Sequence, residues 1–172
     1  AFPIYTDAIL EARYPRHPVF TEPLTPARIE RLLERFQAIV EASDKKISLD
    51  RRELEELRGT LGGLGLVRIT ETTAHLRTDG LLQTIESRRR QKGVDHPRVD
   101  EVLRWADEHD TMGLQPDAQA LLVQAYALAE SRTLVLGGEP FDPSKAKGKG
   151  LPGDVVLELP DLPSQTEWRT AL

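Results

Sequence analysis

The chain contains no cysteine and no asparagine among its 172 residues. Because cysteine is absent, the chain has no disulfide, no thiolate nucleophile and no cysteine-based zinc site. Because asparagine is absent, there is no acceptor for N-glycosylation. The absence of cysteine fits a protein of a reducing compartment.

Long apolar runs are also absent. No run approaches the roughly 18 residues that a membrane-spanning helix requires, and the opening residues lack the charged and then apolar pattern of a signal peptide. The chain is 39% hydrophobic and 30% charged, a composition that suits one compact domain or two small ones. We therefore expect a soluble, cytoplasmic protein with no membrane contact. Since the chain begins at Ala1 without methionine, we also expect a segment of a longer protein.

Motifs for catalysis and for nucleotide binding are missing. Gly62, Gly63 and Gly65 do not have the G-x-G-x-x-G spacing, and SKAKGKG at 144–150 lacks the order of a phosphate-binding loop. The four histidines have no partner at the spacing of a metal pair, and neither H-E-x-x-H nor G-x-S-x-G occurs. We therefore expect no catalytic residue, no metal and no cofactor in this chain.

Apolar residues recur with helical periodicity in most of the chain. The first long helix has Thr25 as its cap and Pro26 at its first position, and Asp50 with Glu53 forms the pattern of a capping box. Gly62 and Gly63 are expected to end the helix that this box begins. The predicted helices begin at Thr25–Pro26, at Asp50, at Thr78 or Asp79, at Asp95–Pro97 and at Pro116.

Short strands are predicted in two places. Val67 and Ile69 alternate with polar residues, as do Ala74 and Leu76, which is the pattern of a half-buried two-stranded ribbon. A helix followed by such a ribbon predicts a winged-helix-like portion, with 43–48 as a polar loop before it. Residues 133–136 and 154–159 predict a short C-terminal β hairpin. The fold class is therefore mainly α, with a winged-helix-like portion and this hairpin.

Composition shifts and glycine breaks divide the chain into five expected regions. These are an extended lead-in (1–24), a winged-helix-like helical unit (25–93), a helical continuation (94–136), a flexible basic loop (137–153), and a final strand and tail (154–172).

The third predicted helix ends in a run of cations. Arg88, Arg89, Arg90 and Lys92 lie in its last turns, where guanidinium groups would suit phosphate oxygens. The alternative is that these cations complement the negative end of the helix dipole. If they bind nucleic acid, Arg68 and Arg77 on the ribbon are expected to complete one basic face. The net charge of −5 argues against nonspecific binding by the whole surface.

Several short segments together resemble one protein family. They are 14–20, 24–26, 61–66, 151–154, Leu162–Pro163 and Glu167–Trp168. With these segments, the chain is similar to a segment of the large ATPase-like proteins of phage-growth-limitation and BREX phage-resistance systems, the PglY and BrxC type. The resemblance implies antiviral defence in a bacterial cytoplasm, with the nucleotide-binding motor outside this chain, which has no Walker A sequence.

We therefore expect a noncatalytic module that positions either DNA or a partner defence protein. The protein-partner alternative predicts an exposed apolar patch, with Trp105 and Trp168 as candidates. A winged-helix transcription regulator and a pure scaffold domain are the competing interpretations. An independent enzyme would require a concave pocket with convergent polar groups.

Overall fold

The computed structural model of the chain describes residue 9 and the ranges 11–146 and 149–160. The described residues form a mainly α protein with two small antiparallel sheets, so the predicted fold class is confirmed at this level. The elements are α1 (Pro26–Glu41), β1 (Lys46–Ser48), α2 (Arg51–Arg58), β2 (Val67–Ile69), β3 (Thr73–Leu76), α3 (Leu81–Lys92), α4 (Val99–Ala106), α5 (Pro116–Ala129), β4 (Thr133–Leu136), β5 (Glu139–Pro140), a 3-10 helix (Pro143–Ala146) and β6 (Val156–Glu158).

The first two helices begin where their capping residues predict. The Thr25 hydroxyl accepts a hydrogen bond from the Arg28 N–H at 3.3 Å, which satisfies a donor at the start of α1 that has no partner inside the helix. At α2, the Asp50 carboxylate accepts from the Glu53 N–H at 2.8 Å, and Glu53 accepts in return from the Asp50 N–H at 3.4 Å. Both predicted caps are confirmed.

Three predicted helix boundaries are wrong. The α2 helix ends at Arg58 instead of at Gly62, because the Gly62 N–H donates to the Leu57 carbonyl at 2.8 Å and so closes a turn outside the helical pattern. Gly80, without a side-chain cap, precedes α3 in place of Thr78 or Asp79. The α4 helix begins at Val99, after the predicted start at 95–97, because Glu101 accepts from the Arg98 N–H at 2.9 Å.

The first sheet has three strands in the order β1–β3–β2. The predicted ribbon is present, with Arg68 opposite His75 and Ile69 opposite Ala74. The prediction of a loop over 43–48 is wrong for its second half, because Ile47 pairs with Ala74 from the other side. The β1 strand contains a single apolar residue, Ile47, and so shows no repeated alternation in the sequence.

The second sheet also has three strands, in the order β5–β4–β6. The predicted pairing of the two terminal strands occurs with Leu134 opposite Leu157. The sequence did not indicate β5, which turns back onto β4 through Gly137 and Gly138. Both glycines have positive φ, at 60° and 84°, as a two-residue hairpin turn requires.

One hydrophobic core joins these elements, and α5 lies at its centre. Leu121, Leu122 and Tyr126 of α5 are fully buried, which explains why this helix is apolar on most of its circumference. Leu134 and Leu157 of the second sheet belong to the same core as the first helices. The second sheet is therefore packed on the main core.

Candidate functional site

The predicted cationic run lies at the end of α3. We call Arg88, Arg89, Arg90 and Lys92 the arginine end. The helix stops at Gly93, whose φ is 66° and whose N–H donates to the carbonyl oxygens of Arg89 and Arg90. The cations therefore lie beside the negative end of the helix dipole, where they are stabilising without any ligand.

Arg89 is held inside the protein. Its side chain is only 14% exposed, and its Nε and Nη2 donate to the two carboxylate oxygens of Glu86 at 3.0 and 2.6 Å. Its Nη1 donates to the Val94 carbonyl oxygen at 2.8 Å. These contacts make Arg89 a bidentate partner of Glu86, so its guanidinium is already engaged within the fold.

The other members of the arginine end differ in exposure and partner. Arg88 reaches the loop after α4, where its Nη2 donates to Glu108 at 2.6 Å. Arg90 also pairs with Glu86, at 3.0 Å, although its side chain is 73% exposed. Lys92 is exposed and has no ion-pair partner within the described ranges. Arg89 and Arg90 therefore pair within α3, and Arg88 connects α3 to the loop after α4.

Glu86 is the centre of this network. The Tyr126 hydroxyl of α5 donates to it at 2.8 Å. Burial alone would raise the pKa of the Glu86 carboxyl, but the hydrogen bonds from Arg89, Tyr126 and Arg90 outweigh that effect and lower the pKa to about 2. Burial and the contact with Glu86 raise the pKa of the Tyr126 hydroxyl. The network is thus a charged connection between α3 and the central helix.

The ribbon arginines lie apart from this network. Arg68 is exposed on β2, and the Arg77 Nε donates to Asp79 at 3.2 Å. Among the residues described, no hydrogen bond or ion pair joins either of them to the arginine end. The single basic face expected from the sequence remains a prediction.

The tryptophan expectation is wrong for Trp105, which is only 8% exposed and belongs to the core. It packs there because α4 turns it inward with Val102 and Ala106. Trp168 lies outside the described residues. The apolar surface is found elsewhere, between α1 and α5.

We call this surface the α1–α5 groove, a concavity of about 730 Å³ between the two helices and the segment that carries the 3-10 helix. Its floor is apolar and is formed by side chains far apart in sequence. The principal apolar residues are Ile29, Leu33, Ala120, Ala127, Leu128 and Leu134.

Carboxylates lie along the same groove. Glu30 and Glu34 come from α1, Asp117 from the start of α5, and Asp142 from the residue before the 3-10 helix. Within the part of the chain that the structure describes, none of these four forms an ion pair. The groove is therefore apolar with a negative edge.

One cation also lines the groove. Arg132 is only 9% exposed, and its Nη1 donates to the carbonyl oxygens of Asp95 and Leu157 at 2.6 and 3.1 Å. Its Nε is buried without a hydrogen-bond partner. One nitrogen of the Arg132 guanidinium is thus enclosed by the protein without a hydrogen bond.

A second, smaller cavity of about 260 Å³ lies beside Tyr14, Asp107 and Asp110. Asp107 uses its carboxylate locally, accepting from the N–H groups of Thr111 and Met112 at 2.8 and 2.7 Å. Burial would raise the pKa of this carboxyl, and those hydrogen bonds lower it. No group of three or more potential metal ligands occurs among the residues described. The Asp107 carboxylate therefore fixes the turn after α4, and Glu108 and Asp110 form ion pairs with Arg88 and Arg13.

The groove could not be found from a motif, because it combines residues of 26–37, 117–134 and 142–146 with Gly150. The available signal was weak: α5 is apolar around more of its surface than one buried face requires, and Leu33 lies beside the main stripe of α1. The arginine end, in contrast, was conspicuous in the sequence.

The comparisons with known proteins give the family. No solved structure matches the chain. No helix among the described residues is both long and apolar enough to cross a membrane. The family model of the BREX System ATPase PglY protein 5th domain matches residues 27–127, which is more than half of the 172 residues and runs from the start of α1 to the last turn of α5. The chain therefore belongs to the family of fifth domains of the BREX system ATPase PglY, a component of a phage-defence system.

Proposed function

We propose that this chain is a noncatalytic docking module that holds a partner protein of the BREX system against the rest of the PglY protein in the bacterial cytoplasm. The observation that carries the proposal is the α1–α5 groove, which combines an apolar floor with unpaired carboxylates. Grooves of this size on a protein surface accept side chains of a ligand or partner.

The absence of catalytic motifs from the sequence supports a noncatalytic role. The family name includes an ATPase, but this chain has no G-x-x-x-x-G-K-[ST] sequence, and that loop is what cradles nucleotide phosphates. The nucleotide chemistry of the longer protein is therefore assigned to residues outside this chain.

The first sheet supports a protein partner over DNA. A winged-helix-like unit remains our interpretation of the order α1, β1, α2, β2, β3, in which β3 is the central strand. Helix-turn-helix proteins read DNA with a second helix that enters the major groove. Here the residues between α2 and β2, 59–66, form turns instead of a helix, so the element that would read the groove is missing from this unit.

DNA is the second candidate partner, and exposed cations favour it. Arg68, Lys92 and most of the Arg90 side chain are exposed, and contacts of this kind supply salt-dependent binding to phosphates. The test is fluorescence anisotropy of labelled duplex DNA with the native chain and an Arg68→Glu/Lys92→Glu variant, at low and moderate salt. Arg89 is left unchanged because it is buried. Binding that both the variant and salt remove would establish the DNA function.

The protein-docking proposal is tested by phage plating on cells that carry the complete defence system. An Ala120→Arg substitution places a long charged side chain in the groove, since Ala120 is half-buried and lines it. We expect loss of phage protection with the variant protein still folded. The matched control is Ala38→Arg, at an exposed position on α1 outside the groove. Full protection with Ala120→Arg would refute the docking proposal.

A further inference from the structure

We infer that the α1–α5 groove binds an amphipathic helix of a partner protein, with apolar residues on one face and lysine or arginine on its flanks. This inference rests on the proposed docking function and specifies the chemistry of the partner. Two features of the groove carry it: its shape and its charge.

The shape of the groove fits a helix. It runs along α5, whose 14 residues extend over about 21 Å at the rise of an α-helix. Its apolar floor is supplied by Leu33 of α1 and by Ala120 and Leu128 of α5. An amphipathic helix places its apolar residues at i, i+3, i+4 and i+7 into such a groove.

The charges on the two sides of α1 indicate the sign of the partner. On one side, Arg28 and Arg31 each form an ion pair with Glu56 of α2 at 3.4 Å, and Arg35 pairs with Glu53. The cations of α1 are therefore satisfied within the chain.

On the groove side, Glu30 and Glu34 are one helical turn apart and exposed, and the described residues include no cation paired with either. Asp142 adds a third carboxylate, whose pKa is lowered by hydrogen bonds from Ser144 and which is therefore charged at neutral pH. Complementary charge would come from lysine or arginine on the partner.

The test uses a defined probe, a fluorescein-labelled peptide of about 14 residues, matched in length to α5. It has leucine at i, i+3, i+4 and i+7 and lysine at the flanking positions. Its counterpart has glutamate in place of each lysine. We expect the lysine peptide to bind the chain by fluorescence anisotropy, and the glutamate peptide to bind at least about tenfold more weakly, since a tenfold change in Kd corresponds to about 1.4 kcal/mol.

The groove variant is Glu30→Lys/Glu34→Lys, which reverses the negative edge of α1 without changing a buried residue. We expect this variant to bind the lysine peptide about tenfold or more weakly than the native chain does. The difference in affinity between the variant and the native chain should be smaller at high salt. The matched control is Glu11→Lys/Glu71→Lys, which makes the same change in net charge at exposed positions outside the groove. The control is expected to retain nearly all of the affinity.

Two results would overturn the inference. Equal weakening by both variants would mean that the peptide responds to net charge alone. Binding of the lysine peptide only after deletion of residues 161–172 would mean that the chain's own segment occupies the groove. The docking function is tested separately. If Ala120→Arg abolishes phage protection while Glu30→Lys/Glu34→Lys leaves the affinity for the lysine peptide unchanged, the docking function is supported and the inference about a basic partner helix is refuted.

Discussion

The arginine end and the α1–α5 groove handle charge in opposite ways. At the arginine end, Arg88, Arg89 and Arg90 all have carboxylate partners within the chain. Along the groove, Glu30 and Glu34 have no such partner in the described part of the chain. The more conspicuous charge run in the sequence is thus used for folding, and the less conspicuous carboxylates are left available.

For Arg89 the difference follows from burial, because a buried charge is stable only when it is paired and hydrogen-bonded. The side chains of Arg88 and Arg90 are more exposed, and their ion pairs contribute less to stability. Exposed carboxylates have no such requirement, because water solvates them. An unpaired charged residue beside exposed apolar surface is therefore good evidence of a binding surface. A charged residue within a run of charges is weaker evidence.

The largest effect is expected from Arg89→Ala. Removing the buried partner of Glu86 leaves a carboxylate insufficiently compensated, which costs about 3 kcal/mol or more of unfolding free energy. Arg88→Ala is the neighbouring control, and since its pair with Glu108 is exposed we expect a cost below about 1 kcal/mol. Urea unfolding measures both. Similar losses for the two variants would remove the distinction between structural and exposed arginines.

The pH dependence of stability tests the same network. The Glu86 pKa is about 2 in the folded protein, against an ordinary value of 4.5. Because the folded-state pKa is depressed, the stabilisation is complete above about pH 5 and is lost as the pH falls toward 2, by at most about 3 kcal/mol.

The measurement for this prediction is urea unfolding of the native chain and a Glu86→Gln variant across that pH range. We expect the native chain to be more stable near neutral pH, and the difference to shrink as the pH falls. Glu130 provides a control in which the expected change in unfolding free energy has the opposite sign, because burial and the charge of Glu86 raise the pKa of its carboxyl. Glu130→Gln should therefore increase stability near pH 7. A constant difference for Glu86→Gln would contradict the assigned network.

A smaller effect is expected from Tyr126→Phe. The substitution keeps the buried ring and removes the hydroxyl that donates to Glu86 at 2.8 Å. The loss of a hydrogen bond to a charged group costs about 1.5–3 kcal/mol. Thermal or urea unfolding measures the change, and an unchanged stability would show that α5 is not held through this contact.

The smallest effect is expected from Thr25→Ala at the start of α1, the helix that forms one wall of the groove. Loss of the cap costs about 1 kcal/mol. Because the rest of α1 is fixed by packing of Leu32, Phe36 and Ile39, we expect the affinity for the lysine peptide to remain unchanged. A large loss of affinity would show that the groove is not preformed.

Local chemistry was sufficient to predict the first helix and the capping box of the second, since Thr25, Asp50 and Glu53 act on amide groups within the same turn. The ribbon was predictable from its alternation. In contrast, β1 contains one apolar residue, Ile47, and β5, Glu139–Pro140, contains none, so neither strand shows a repeating pattern. Both strands exist because β3 and β4 supply hydrogen-bond partners.

The candidate sites show the same limit. The sequence indicates that the arginine end is notable, and Glu86 precedes Arg89 and Arg90 on the same helix at the spacings of helical ion pairs. The pair of Arg88 with Glu108, in contrast, depends on the packing of α3 on α4. Trp105 was a candidate for an exposed apolar patch, but the orientation of α4 places it in the core. The groove arises from three distant segments, so only the fold brings its residues together.

The most direct test of the account is co-purification of the other BREX proteins with PglY from cells that express the whole system. Two PglY variants are compared with the native protein, one with Glu30→Lys/Glu34→Lys in the groove and one with Arg90→Glu/Lys92→Glu at the arginine end. We expect the groove variant to lose a partner protein and the arginine-end variant to retain it. Loss of the partner from the arginine-end variant alone, with the groove variant unaffected, would contradict the docking proposal.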